Sequence, residues 1–94
     1  MIPSININFA NFNLVENDIS YLCNIFLKKM MKLDELNLYL ENNSIGDEYA
    51  NIIWEVLNNL NNLTSLIWYL SDNNINGEWI ELSLNNLVEL ELNL

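Results

Sequence analysis

Apolar side chains recur on alternate positions in four short stretches of this chain. Leu36, Leu38 and Leu40 alternate with Asn37, Tyr39 and Glu41, and Leu66, Trp68 and Leu70 alternate with Ile67, Tyr69 and Ser71. Ala10, Phe12 and Leu14 alternate with Asn11, Asn13 and Val15, and a fourth run goes from Leu87 through Leu90 and Leu92 to Leu94. Period two is the strand signature, with one set of side chains buried and the other on the opposite face. Beyond each run the period changes. Ala50, Ile53, Leu57 and Leu60 follow at the three- and four-residue interval of a helix, behind Gly46, Asp47 and Glu48, whose acids suit a helix N-terminus. Tyr21 to Lys32 reads the same way, with Leu22, Phe26 and Met30 on one face and Lys28, Lys29 and Lys32 in the last turns. The third return segment, Glu78 to Leu84, is shorter.

The strand runs also repeat. Phe12, Leu14, Asn17 and Ile19 form one copy of a pattern whose later copies are Leu38, Leu40, Asn43, Ile45 and Trp68, Leu70, Asn73, Ile75, at spacings of 26 and then 30 residues. Periods in this range mark stacked architectures, in which each copy buries its apolar face against the next. The expected fold is α/β, a single domain over 1–94 forming a right-handed stack of about three and a half strand–turn–helix coils. The coils run over about 7–32, 33–62, 63–86 and a partial 87–94, with Phe12, Leu38 and Trp68 in one buried column. Where strand gives way to loop, backbone groups lose their partners while still facing inward. A carboxamide both donates and accepts, so Asn17, Asn43 and Asn73 are expected to form a structural ladder. Trp54 and Trp79 read as core, with Tyr49 packing on Trp79.

The arrangement Leu33–x–x–Leu36–x–Leu38–x–Leu40–x–x–Asn43–x–Ile45–Gly46 resembles the leucine-rich repeats, closest to the longer ribonuclease-inhibitor-like class of many protist proteins. The resemblance runs from about Ile7 to Leu94. Ala10 and Trp68 depart from it by replacing leucines, and Ser20 and Asn76 by replacing the glycine after the isoleucine. It implies a curved solenoid with parallel strands on the concave face and helices on the convex face. Members bind many different partners, so the motif specifies fold rather than function.

Asparagine fills 20 of the 94 positions, but its fixed offsets from leucine set it apart from a low-complexity tract. The net charge is −10, from 13 acidic residues against three lysines. That balance argues against nucleic acid and against an anionic membrane surface, and favours a partner with a basic surface. No basic n-region precedes an apolar stretch, and the run Leu66 to Leu70 is far short of the ~20 residues that span a bilayer, so the expected location is cytoplasmic. Cys23 is the single cysteine and sits among apolar neighbours, which suggests a buried thiol.

Catalytic chemistry finds no support in the residues. There is no histidine for a Ser–His or Cys–His pair, too few cysteines for zinc, and no arginine for an arginine finger. Gly46 and Gly77 are too far apart for a phosphate loop, and Glu89 and Glu91 have no obvious cleft to share. No enzyme, cofactor or metal is expected. The outward strand residues are more informative. Tyr39 and Tyr69 should be neighbours, with Ile67 beside them and Glu41, Asp72, Glu91 and Glu16 around them. Aromatic anchors in a charged rim match the anatomy of an interaction surface. The expected function is therefore non-enzymatic protein binding on this acidic, tyrosine-bearing face. The alternative is a fragment of a longer array within a multidomain protein, such as a kinase or ubiquitin-ligase component, whose activity lies elsewhere. The final strand, Leu87 to Leu94, adds an open edge and with it an expectation of self-association.

Overall fold

A computed structural model describes residues 3–26, 29–78 and 87–94 of the chain. Four strands, β1 (Ser4–Asn8), β2 (Glu35–Tyr39), β3 (Ser65–Tyr69) and β4 (Glu89–Asn93), form one parallel sheet in chain order. Helix α1 (Glu16–Tyr21), continued by a π-helical turn over Leu22–Phe26, lies between β1 and β2, and helix α2 (Gly46–Asn58) between β2 and β3. The architecture is mixed α/β. Among the described residues no helix is long and apolar enough to cross a membrane.

Alternation along the strands sets the register. Ile5, Leu36, Leu66 and Leu90 stand in one row across the sheet, and Ile7, Leu38, Trp68 and Leu92 in the next. Both rows face inward, where Leu36, Leu38, Leu66 and Trp68 are fully buried. Against them α2 sets Ala50, Ile53, Trp54 and Leu57, the residues of its three- and four-residue spacing. The Trp54 indole stacks parallel to that of Trp68, with ring centroids 6.1 Å apart and planes 1° from parallel. Aromatic pairs of this kind add about 0.5–1.5 kcal/mol beyond the area they bury. Ile19, Leu22 and Cys23 extend the same core toward β1.

The first segment differs from the sequence expectation. Its strand is Ser4–Asn8, not the run through Ala10, Phe12 and Leu14, and Phe12 is 62% exposed instead of sharing a column with Leu38 and Trp68. The cause lies in the backbone: Asn11 (φ 62°) and Asn13 (φ 53°) are left-handed, which no extended strand accommodates. Ile7 takes the column position, 31 residues before Leu38, close to the 30 that separate Leu38 from Trp68. Asn17 consequently falls on α1, exposed and outside any ladder. The helix expected over Tyr21 to Lys32 begins instead at Glu16, where the Asp18 carboxylate accepts the Val15 N–H at 3.0 Å. Trp79, Lys28 and most of the segment Glu78 to Leu84 lie outside the described residues.

The turns that follow β1, β2 and β3 are built alike. Left-handed pairs occur at Asn11 and Asn13, Asn42 and Ser44, and Asp72 and Asn74. Asparagine and aspartate tolerate this conformation better than most side chains. Gly46 (φ 75°) and Gly77 (φ 78°) are also left-handed, so the glycine after the third turn stands one place later than the isoleucine spacing suggests. Within the second and third turns are two buried carboxamides. The Asn43 oxygen accepts the Phe12 and Leu14 N–H groups at 3.2 and 3.0 Å, and the Asn73 oxygen accepts those of Asn43 and Ile45 at 2.9 and 3.0 Å. Their amide groups donate to strand-end carbonyls: Asn43 to Phe9 and Leu40, Asn73 to Leu40 and Leu70. Phe12 holds the equivalent place in the first turn, 31 residues before Asn43.

Asn43→Leu should therefore cost at least ~3 kcal/mol, because several backbone groups lose their partner at ~1–3 kcal/mol each. Asn42→Leu places leucine at φ 57° and should cost only ~1–2 kcal/mol. Chemical denaturation of the two variants measures the difference. Equal losses would mean that the carboxamide does not fasten the turns.

Candidate functional site

The outward face of the sheet carries the second set of alternating residues. Across its central row run Asn6, Asn37, Ile67 and Glu91, and across the next Asn8, Tyr39, Tyr69 and Asn93. Parallel sheets are usually covered on both faces. Here the helices cover one, and on the other Asn37, Tyr39, Ile67 and Tyr69 remain half-buried.

Register alone makes Tyr39 and Tyr69 neighbours, because β2 and β3 pair without offset. Their rings meet edge to face, with centroids 5.2 Å apart at 78°. The Tyr69 hydroxyl reaches across to β4 and donates to the Glu91 carboxylate at 2.8 Å. That hydrogen bond raises the Tyr69 phenol above its ordinary value of 10.0, and desolvation and the negative charges of Glu91 and Glu41 add to the effect. The surface is thus an aromatic pair fixed at one end by a carboxylate.

The residues expected around this pair are only partly brought together. Tyr39, Tyr69, Ile67 and Glu91 share the face. Glu41 lies just past the end of β2, half-buried, and one of its carboxylate oxygens is enclosed with no hydrogen-bond donor among the described residues. Asp72 sits in the turn after β3, exposed, in the place that Asn42 and Asn11 hold in the earlier turns. Glu16 is not at the rim. It begins α1 and hydrogen-bonds the Tyr49 phenol, which is raised above its ordinary value for that reason first. Glu35 and Glu89, on the same face at the starts of β2 and β4, complete its acidic character.

Two surface features were missed in the sequence. Ser4, Asn6 and Asn8 extend the outward face by one strand, and the alternation of Ile5 and Ile7 was the available signal. Beside β1, Phe9, Phe12, Leu14, Asp18, Tyr21 and Leu22 line a shallow depression of about 580 Å³. Phe9 and Phe12 are in ring contact there, with centroids 5.4 Å apart. Read at the 31-residue offset, Phe12 is a turn residue and its exposure follows. Among the described residues no three Cys, Asp or Glu side chains come together as a metal-binding group.

A neutral Tyr69 phenol donates to Glu91, so its contribution to stability is complete below the unfolded-state value. It is lost as pH rises through the raised folded-state value. In Glu91→Ala the Tyr69 ionisation midpoint should fall back toward 10.0, followed by phenolate absorbance in a background where Tyr21, Tyr39 and Tyr49 are all replaced by Phe. An unchanged midpoint would show that the carboxylate does not hold the ring. Comparisons with protein-family models, with curated proteins and with solved structures find no match for this chain.

Proposed function

We propose that this chain is a non-catalytic binding module of leucine-rich-repeat type, a short solenoid that presents its outward sheet face to a basic protein segment. The repeated turn geometry and the spacing shared by Leu38, Leu40, Asn43, Ile45 and by Trp68, Leu70, Asn73, Ile75 support the solenoid. The observation that carries the binding reading is the Tyr39–Tyr69 pair, held against Glu91 on a sheet face that no helix among the described residues covers. Edge-to-face packing leaves the flat face of one ring available to a cation, an interaction worth about 0.5–2 kcal/mol per contact. Glu35, Glu41, Glu89 and Glu91 supply the complementary charge. Glu41 adds a half-buried carboxylate just past the end of β2.

A six-residue oligoarginine peptide is the simplest probe. Titrated into the isotopically labelled chain, it should shift the amide resonances of Asn37, Tyr39, Ile67, Tyr69 and Glu91, and its affinity should fall as salt is raised. Tyr69→Ala should weaken binding about tenfold, the ~1.4 kcal/mol of a moderate hot spot. Shifts confined to α2 or to the depression beside β1, or an affinity indifferent to Tyr69, would place recognition elsewhere.

A further inference from the structure

Asn76 is the one asparagine of this chain that precedes a glycine; every other is followed by a residue with a side chain. That pairing has a chemistry of its own. The backbone nitrogen of the following residue can attack the asparagine Cγ, and a side chain on that residue obstructs the approach where glycine does not. Asn76 is exposed and Gly77 half-buried, at φ 78°, in the segment after β3. Asn43 precedes the small Ser44, but its carboxamide is buried and hydrogen-bonded at both ends.

At Asn76 the electrophile is in position. Its carboxamide oxygen accepts the Glu78 N–H at 3.0 Å, which folds the side chain back over the peptide linking it to Gly77. A donor on that oxygen also draws electron density from Cγ and steadies the negative charge that gathers there during attack. The nucleophile, by contrast, is held. Asp47, half-buried in the first turn of α2, accepts the Asn76 N–H on both carboxylate oxygens and the Gly77 N–H on one, each at 3.2 Å. The Gly77 nitrogen attacks only after losing its proton, and a carboxylate beside a forming anion opposes that loss. The same hydrogen bonds tie the backbone of the turn to α2, so turning the nitrogen toward Cγ breaks them.

We propose that Asn76 is a deamidation site, prepared by its own turn and restrained by the Asp47 carboxylate. The Gly77 nitrogen gives its proton to solvent and bonds Asn76 Cγ. The Cγ–Nδ2 bond breaks, and the amide nitrogen takes a proton from water and leaves as ammonia. Water then opens the resulting succinimide ring, at the side-chain carbonyl to aspartate or at the backbone carbonyl to isoaspartate. Either product places a new carboxylate near Asp47, in the contact that ties the turn after β3 to the start of α2. The two charges repel, so the modified turn does not re-form that contact.

The test incubates the full chain at neutral pH and follows residue 76 by peptide mapping, which separates asparagine, aspartate and isoaspartate. Wild type is compared with Asp47→Ala and with Asp47→Asn, which keeps an acceptor and removes the charge. Glu48→Ala, which removes a neighbouring acid of the same helix turn, is the control. The near-ultraviolet dichroism of the stacked Trp54 and Trp68 reports whether each variant is folded, and the chain in urea gives the unrestrained rate. Residue 76 of the folded wild type should convert at least about tenfold more slowly than in urea. Asp47→Ala should recover most of that factor, Asp47→Asn part of it, and Glu48→Ala none. If Asp47→Ala loses the tryptophan signal, Asp47→Asn against Glu48→Ala decides. Equal rates for the folded and the urea-treated chain, or Asp47 variants that convert no faster than Glu48→Ala, would overturn the proposal.

Discussion

The linked turns after β1, β2 and β3 depend on the convergence of two backbone N–H groups on one carboxamide oxygen. At the end of a strand the chain must turn away while its amides still point into the interior, and an unpaired buried amide is costly. Asn43 resolves this for the turn behind β1, and Asn73 for the turn behind β2. Because each oxygen reaches back to the preceding turn, strand spacing, turn shape and register are fixed together. The inward rows of Leu38 and Trp68 and the outward pair of tyrosines are consequences of that fixed spacing.

Much of this was legible in the sequence, and the part that was not has a definite cause. In the second and third segments the leucine alternation, the asparagine and the isoleucine all point one way, and β2, β3, α2, Asn43, Asn73 and the Tyr39–Tyr69 neighbourhood follow from them. The first segment carries two overlapping patterns. Phe12, Leu14, Asn17 and Ile19 imitate the motif, yet their spacing also suits a turn leading into a helix, and that is what they form. The weaker run of Ile5, Ile7 and Phe9 is the true counterpart of Leu36, Leu38 and Leu40. Its offset of 31 was the better match to 30, but phenylalanine at the asparagine position hid it.

The candidate surface depended on the same distinction. Tyr39, Tyr69, Ile67 and Glu91 stand where alternation and register put them, because strand residues have no freedom to do otherwise. Glu41 and Asp72 lie beyond the strand ends, where left-handed turn residues redirect the chain and period two ceases to apply. Glu16 was misplaced with its whole segment. The hydrogen bond from Tyr69 to Glu91 could not have been read from spacing, since it runs diagonally between strands and depends on the length of the tyrosine.

The presence of phenylalanine in the first turn has a consequence for the tolerance of this molecule to change. A turn carboxamide here serves the segment before it as well as the end of its own strand, a duty that the phenylalanine ring cannot perform. The side chain at position 12 makes none of these hydrogen bonds, touches Phe9 and is mostly exposed, so it has more freedom to vary. Positions 43 and 73 have no such freedom, since each answers for amides 28 to 31 residues away. Mutational constraint in this chain thus reaches one segment back from the residue that bears it, and a substitution in one turn will register as damage in the turn before as well as in its own.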